Sequence, residues 1–276
     1  MESGFIDKVY SSVEKKEKIL NGEFVSYAIR AMMAGVFLTL IYTFCMQIVS
    51  DFSGTDVEPF GKMLMSYLFG IGLIFIVYFG AELFTSNTMY FAVGMTHKKT
   101  TVARSFKLLA ICWIFNFVGA ALCAFILVQT GLFNPVDGVY PNEALNTLAA
   151  KKATLPWNQI FFRGIMANFV VNVVIFIQAV VKEDISKLFI IPLGLVPFVY
   201  LGFEHSIANF GVFLMTWMTP GAASVASYHD MMFTTAGVFN NLLWATLGNL
   251  VGGGIMVGCY FAFLNRNKIK DDNKKA

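Results

Sequence analysis

The sequence predicts an all-α integral membrane protein with six transmembrane spans, arranged as two sets of three. Three observations carry this. Of 276 residues, 57% are hydrophobic and only 13% charged, too few charges to coat a soluble domain of that size. Apolar runs of about 20 residues, the length that crosses a bilayer core, recur along the chain. The two halves of the chain also repeat each other's motifs. The strict alternation of a membrane β-barrel is absent.

Taken in order, the first element is MESGFIDKVYSSVEKKEKIL at 1–20. It places Phe5, Ile6, Val9 and Val13 on one helical face and lysines and glutamates elsewhere. This predicts an amphipathic helix lying on the membrane surface, not a signal peptide. Apolar segments follow at roughly 24–50, 62–95, 106–130, 160–181, 188–218 and 234–264. The first three make one repeat (24–130) and the last three the other (160–264), within a single transmembrane domain. The second and fifth segments are long enough to cross, yet polar residues interrupt each near its middle. The tail from 265, with KIKDDNKKA at its end, reads as solvated.

Basic residues set the orientation. Lys8, Lys15, Lys16, Lys18 and Arg30 precede or open the first span; Lys98, Lys99, Arg104 and Lys107 follow the second. Lys182 and Lys187 follow the fourth, and Arg266, Lys268, Lys270, Lys274 and Lys275 close the chain. Only Lys62, Lys151, Lys152 and Arg163 fall on the other side. The positive-inside rule then places both termini in the cytoplasm of a multi-pass protein of the cell membrane, as an even span count requires. The net charge of +3 asks for no nucleic acid. Cys45, Cys112, Cys123 and Cys259 sit in apolar runs without metal-ligand spacing and read as packing residues.

The repeat is visible in three motif pairs. RAMMAG (30–35) matches RGIMAN (163–168), and NFVGA (116–120) matches NLVGG (249–253), both offset by 133 positions. The interrupted segments align as YFGAELFTSN (78–87) and YLGFEHSIAN (200–209), offset by 122. Three spans is an odd number, so the halves must have opposite polarity, an inverted repeat. Helices that stop within a bilayer leave backbone groups unpaired, which is tolerated only against protein or a water-filled cavity. Matched interruptions in inverted halves point to a binding site near the midplane. Glu82 and Glu204 are equivalent, as are Asn87 and Asn209. These side chains either tie down loose backbone or face the passage. His205 differs, because its repeat counterpart is Leu83 and it is the one histidine inside a span; His97 and His229 fall in polar loops. With an ordinary pKa of ~6.5, an intramembrane histidine is a functional candidate. Thr85 occupies the matching break and can donate toward the same central point. The glycine-rich GNLVGGGIMVG (248–258) lies within a span and reads as close helix packing, not a phosphate loop.

Through GAELFTSN and GFEHSIAN, and over residues 20–265, the sequence resembles the formate/nitrite transporter family. The resemblance implies an aquaporin-like fold, a homopentamer with one pore per protomer, and small monovalent anions as substrates: formate, nitrite, hydrosulfide, acetate or lactate. It implies His205 and Thr85 as the central polar pair. It implies Phe69, Leu73 and Phe198 as one apolar constriction and Leu83 and Phe84 as the other. Lys152 matches the family lysine that brings positive charge to the site, and Asn168, Asn209 and Asn249 match asparagines around the histidine. The loop between the fifth and sixth spans is short for the family, which bears on the outer vestibule. Neither cofactor nor metal is expected.

A bare anion in a dry constriction costs several kcal/mol or more. The expectation is therefore proton-coupled or pH-gated passage, with His205 as proton relay or protonation-state sensor and anions, protons and membrane lipid as partners. The alternative is a pore for neutral solutes such as water or glycerol. Enzymatic chemistry is not expected: sequence neighbours on a helix do not face each other, and no HExxH or GxSxG occurs.

Overall fold

A computed structural model describes residues 2–267, and the predicted tail beyond lies outside the described residues. Among these residues, helices dominate. In chain order they are α1 (Glu2–Gly22), α2 (Phe24–Phe52), α3 (Glu58–Leu68), α4 (Gly70–Phe79), α5 (Phe84–Thr96), α6 (Val102–Gln129) and α7 (Glu143–Thr154). Then come α8 (Trp157–Val180), α9 (Asp184–Tyr200), α10 (Ser206–Met218), α11 (Ala222–Val225) and α12 (Thr235–Asn249). A π-helical run, Leu250–Cys259, continues α12 into α13 (Tyr260–Leu264). A two-stranded hairpin, Ser227–Tyr228 with Met231–Met232, closes the short loop before α12.

Five helices are long and apolar enough to cross a membrane: Phe24–Phe52, Glu58–Phe79, Val102–Gln129, Trp157–Val180 and Thr235–Leu264. Ser206–Met218 is a shorter apolar helix. The chain is thus a multi-pass membrane protein. Both expected interruptions are real breaks. α4 stops at Gly80 and helix resumes at Phe84; α9 stops before Gly202 and helix resumes at Ser206.

The two stops use one device. Gly80 and Gly202 take φ of +65° and +68°, the left-handed conformation that costs a residue with a Cβ most. The next amides then reach back to close the helix, Ala81 N–H to the Ile76 carbonyl (3.0 Å) and Phe203 N–H to the Phe198 carbonyl (3.1 Å). This is why Tyr-x-Gly recurs at 78–80 and 200–202.

α2 packs chiefly on α6, and α8 on α12. Backbones approach closely there: a Cβ on Gly35 would lie 1.9 Å from the Asn116 carbonyl oxygen, and one on Gly252 2.1 Å from that of Ile165. The glycine-rich run does serve close packing.

One expectation fails. The apolar face of α1 does not lie on lipid: Phe5, Ile6, Val9 and Val13 are buried in the protein. Phe5 packs edge-on against Phe176 and Phe261. An amphipathic face carries no address, and here protein occupies it before lipid can. His97 lies in the turn after α5, as expected, but is not solvated there. It is buried at the end of α5 and clamped between the Tyr10 hydroxyl and the Ala262 carbonyl.

Candidate functional site

The two breaks are held by matching sets of hydrogen bonds. At the first, the Asn116 amide donates to the carbonyls of Ala31 (2.7 Å) and Glu82 (2.8 Å), and its Oδ1 accepts from Phe84 N–H (3.0 Å). At the second, Asn249 donates to the carbonyls of Gly164 (2.8 Å) and Glu204 (2.9 Å), and its Oδ1 accepts from Ser206 N–H (2.9 Å). Glu82 N–H bonds the Arg30 carbonyl, and Glu204 N–H that of Arg163. A buried asparagine with both donors and an acceptor in use supplies the partners that a broken helix lacks.

The two glutamates are treated alike too. Asn87 donates to the Glu82 carboxylate (3.0 Å) and Asn209 to the Glu204 carboxylate (2.7 Å). Each glutamate also holds a lysine from a distant helix. Lys152 Nζ, on α7, lies 3.0 Å from Glu204 Oε1, with side chains 4% and 1% exposed. Lys16, on α1, pairs with Glu82. Asn241 bridges Glu204, Asn209 and the Lys152 carbonyl. The carboxylates therefore brace the breaks, and each ion pair cancels most of its charge at a distance.

Thr85 and His205 meet at the centre. Thr85 Oγ1 lies 2.9 Å from His205 Nε2, and both residues are buried. His205 caps α10, its Nδ1 accepting from Ala208 N–H at 3.1 Å. An amide can only donate, so Nδ1 keeps its lone pair and the neutral ring carries its proton on Nε2, toward Thr85. Thr85 is in turn held through its carbonyl, which accepts from Asn168 and Asn172 at 3.1 Å each. Both α5 and α10 begin here, so two partially positive helix N-termini converge on the pair.

Rings stack on one side of this centre. The Phe198 ring is 5.8 Å from the His205 ring, and Phe69 is 5.8 Å from Phe198. Leu73, Leu83 and Phe84 are buried nearby in sequence and in the same apolar core.

A cavity opens at either end. One, of about 200 Å³, is lined by Lys16, Glu82, Leu83, Asn87, Arg30 and Ile76 among others. The second, of about 280 Å³, is lined by Tyr42, Met65, Lys152, Glu204, Val199 and Tyr200 among others. Neither reaches Thr85, His205, Phe69, Leu73 or Phe198. The helix from Glu58 to Phe79 touches the second cavity at Met65 and the first at Ile76. At 1.5 Å per residue, those two contacts lie about 16 Å apart along the helix axis, and Phe69 and Leu73 stand on that stretch. All four basic residues that break the charge asymmetry, Lys62, Lys151, Lys152 and Arg163, line the second cavity. Lys151 also lies over the Tyr228 ring at 5.3 Å.

The structure thus brings together His205, Thr85, Phe69, Phe198, Lys152, Glu204 and Asn209 as a connected set. Asn168 reaches the Thr85 backbone and Asn249 the backbone of the break, rather than the imidazole. Sequence reasoning missed Lys16, Asn172 and Asn241. Asn172 had a signal, one helical turn beyond Asn168 on the same face. Lys16 had none, because α1 lies outside both repeats.

Known proteins agree with this architecture. A family model described as Formate/nitrite transporter matches residues 4–263. The chain is 30% identical over 238 residues to the nitrite transporter NirC of Salmonella typhimurium, covering 86% of this chain and 81% of that protein. A solved FNT family ion channel superposes with a TM-score of 0.84 at 25% identity, covering 95% of this chain and 99% of that one. A pentameric formate channel with formate bound shares the fold, with a TM-score of 0.71 at 23% identity over 87% of this chain and 97% of that one.

Proposed function

The chain belongs to the formate/nitrite transporter family, and from that premise we propose that each protomer passes small monovalent anions through the Thr85–His205 centre. The observation that carries this is two charged cavities separated by a barrier in which the Thr85 hydroxyl and the His205 imidazole meet beside the Phe69 and Phe198 rings. Six crossings in an inverted 3+3 repeat fit the paired breaks, with both termini in the cytoplasm and the first cavity on that side. Assembly as a homopentamer in the cell membrane is supported by the broad exposed apolar flank, including Phe117, Phe239 and Leu243.

Lys62, Lys151 and Arg163 draw the anion into the second cavity, because the charge of Lys152 is already answered by Glu204. The apolar ring of Phe69, Leu73 and Phe198 strips its water on the way to the centre. There the converging helix ends and the Thr85 hydroxyl support it. A carboxylate losing its water this way takes a proton from water or hydronium of the second cavity, and does so more readily than in bulk water. It then passes the second ring, Leu83 and Phe84, as a neutral acid.

His205 holds Thr85 in a donating orientation. Charging the imidazole would place a second N–H against Ala208 N–H, so an imidazolium must surrender the α10 cap. That makes His205 a sensor of protonation rather than the proton donor itself.

A panel of formate, nitrite, acetate, lactate and glycerol, tested in one proteoliposome preparation at two pH values, decides. Anion flux with accompanying alkalinisation is expected. Glycerol-driven swelling without anion flux would establish a neutral-solute pore instead.

A further inference from the structure

We propose that the Tyr42 hydroxyl is a selectivity element for oxygen-bearing anions, the last hydrogen-bond donor an anion meets in the second cavity before the aromatic constriction. This rests on the anion-transport reading above. Tyr42, on α2, lines the cavity together with Lys152 and Glu204. Its ring is fixed edge-on against Phe69 at 5.2 Å, and Phe69 continues through Phe198 to the His205 ring, 5.8 Å at each step. The row of rings therefore has a hydroxyl at its cavity end and an imidazole at its central end.

That hydroxyl has no hydrogen-bond partner among the described residues. The Tyr27 hydroxyl on the same helix is also unpartnered but sealed in protein, whereas the Tyr42 oxygen is not shut off. The one carboxylate in the cavity has no need of it, since Glu204 already accepts from Lys152, Asn209 and Asn241. A phenol held rigidly in a cavity of cations, with its donor unspent, suits a carboxylate or nitrite oxygen. Sulfur is a weak acceptor, so hydrosulfide would gain little from it.

The test is Tyr42→Phe, which keeps the ring against Phe69 and removes only the donor. Full-length wild type and variant are reconstituted into liposomes. Flux of formate, nitrite and hydrosulfide is measured against concentration near pH 8, with leak through protein-free liposomes subtracted. Half-saturation for formate and nitrite should rise about three- to tenfold, as for one lost hydrogen bond partly replaced by water. That for hydrosulfide should change by less than about twofold, and maximal formate flux should hold. Equal shifts for all three anions, or none, overturn the selectivity role. A fall in maximal flux at constant half-saturation would make Tyr42 a wall of the constriction and also overturns it. A wild type that carries none of the three anions overturns the transport reading itself, and this proposal with it.

Discussion

Removing Lys152 should damage the protein in a way that removing Glu204 as well repairs. The pair is 3.0 Å apart and nearly fully buried. Breaking a buried pair from one side costs about 3–5 kcal/mol, because the remaining charge is stranded. Here Asn209 and Asn241 still donate to the carboxylate at 2.7 and 3.1 Å, and the adjoining cavity of about 280 Å³ admits water. A loss of about 2–3 kcal/mol is therefore expected for Lys152→Met. The stranded carboxylate also repels the substrate. For an anion about 8 Å away, the repulsion is about 0.5 kcal/mol in bulk-like water and about 2 kcal/mol at an effective dielectric of 20, which raises half-saturation about two- to thirtyfold. The double variant Lys152→Met/Glu204→Gln removes both charges. It should regain thermal stability to within about 1 kcal/mol and formate half-saturation to within about twofold. Thermal unfolding in detergent and formate flux in liposomes measure both quantities. A double variant as impaired in flux as the single one would refute the reasoning, showing that Lys152 acts on the anion directly.

Three further outcomes follow from the same geometry. Lys62→Gln, Lys151→Gln and Arg163→Gln combined should raise formate half-saturation at low ionic strength, with the effect fading above about 0.3 M salt; a salt-independent effect would contradict long-range attraction. Asn249→Leu leaves the Ser206 N–H and the Glu204 carbonyl unpaired, a loss of about 2–6 kcal/mol, and Asn116→Leu should cost as much at the other break; thermal unfolding of the two variants should agree. His205→Phe removes the partner that orients Thr85, so residual formate flux should follow the neutral acid and fall about tenfold per pH unit above that acid's pKa. A profile identical to wild type would remove His205 from proton sensing.

The parts legible in the sequence were those that solve a local backbone problem. Gly80 and Gly202 recur because each helix must stop in a left-handed turn, and Asn116 and Asn249 because each break strands the same backbone groups. Such needs repeat with the architecture, so motif matching finds them. Lys16 escaped because its partner is fixed by where α1 packs, and the pattern of Phe5, Ile6, Val9 and Val13 suits lipid and protein equally. α7, which carries Lys152 into the cavity, also escaped, since its helical character is not marked by an apolar stripe. Asn241 has meaning only through Asn209 and Glu204, residues far from it in sequence.

The bracing is paired and the chemistry is not, and the difference has a physical origin. Each break needs a glycine stop, an asparagine brace, and a glutamate with its amide and lysine partners, whatever passes between them. Both breaks have all of these. The central contact needs only one imidazole and one hydroxyl, and each sits in a different break. His205 stands opposite Leu83 in the repeat, and Thr85 opposite Ile207. A leucine in place of His205 would leave Thr85 unoriented. Each break therefore keeps the bracing it needs, and the unequal pair adds a single hydroxyl–imidazole contact between them.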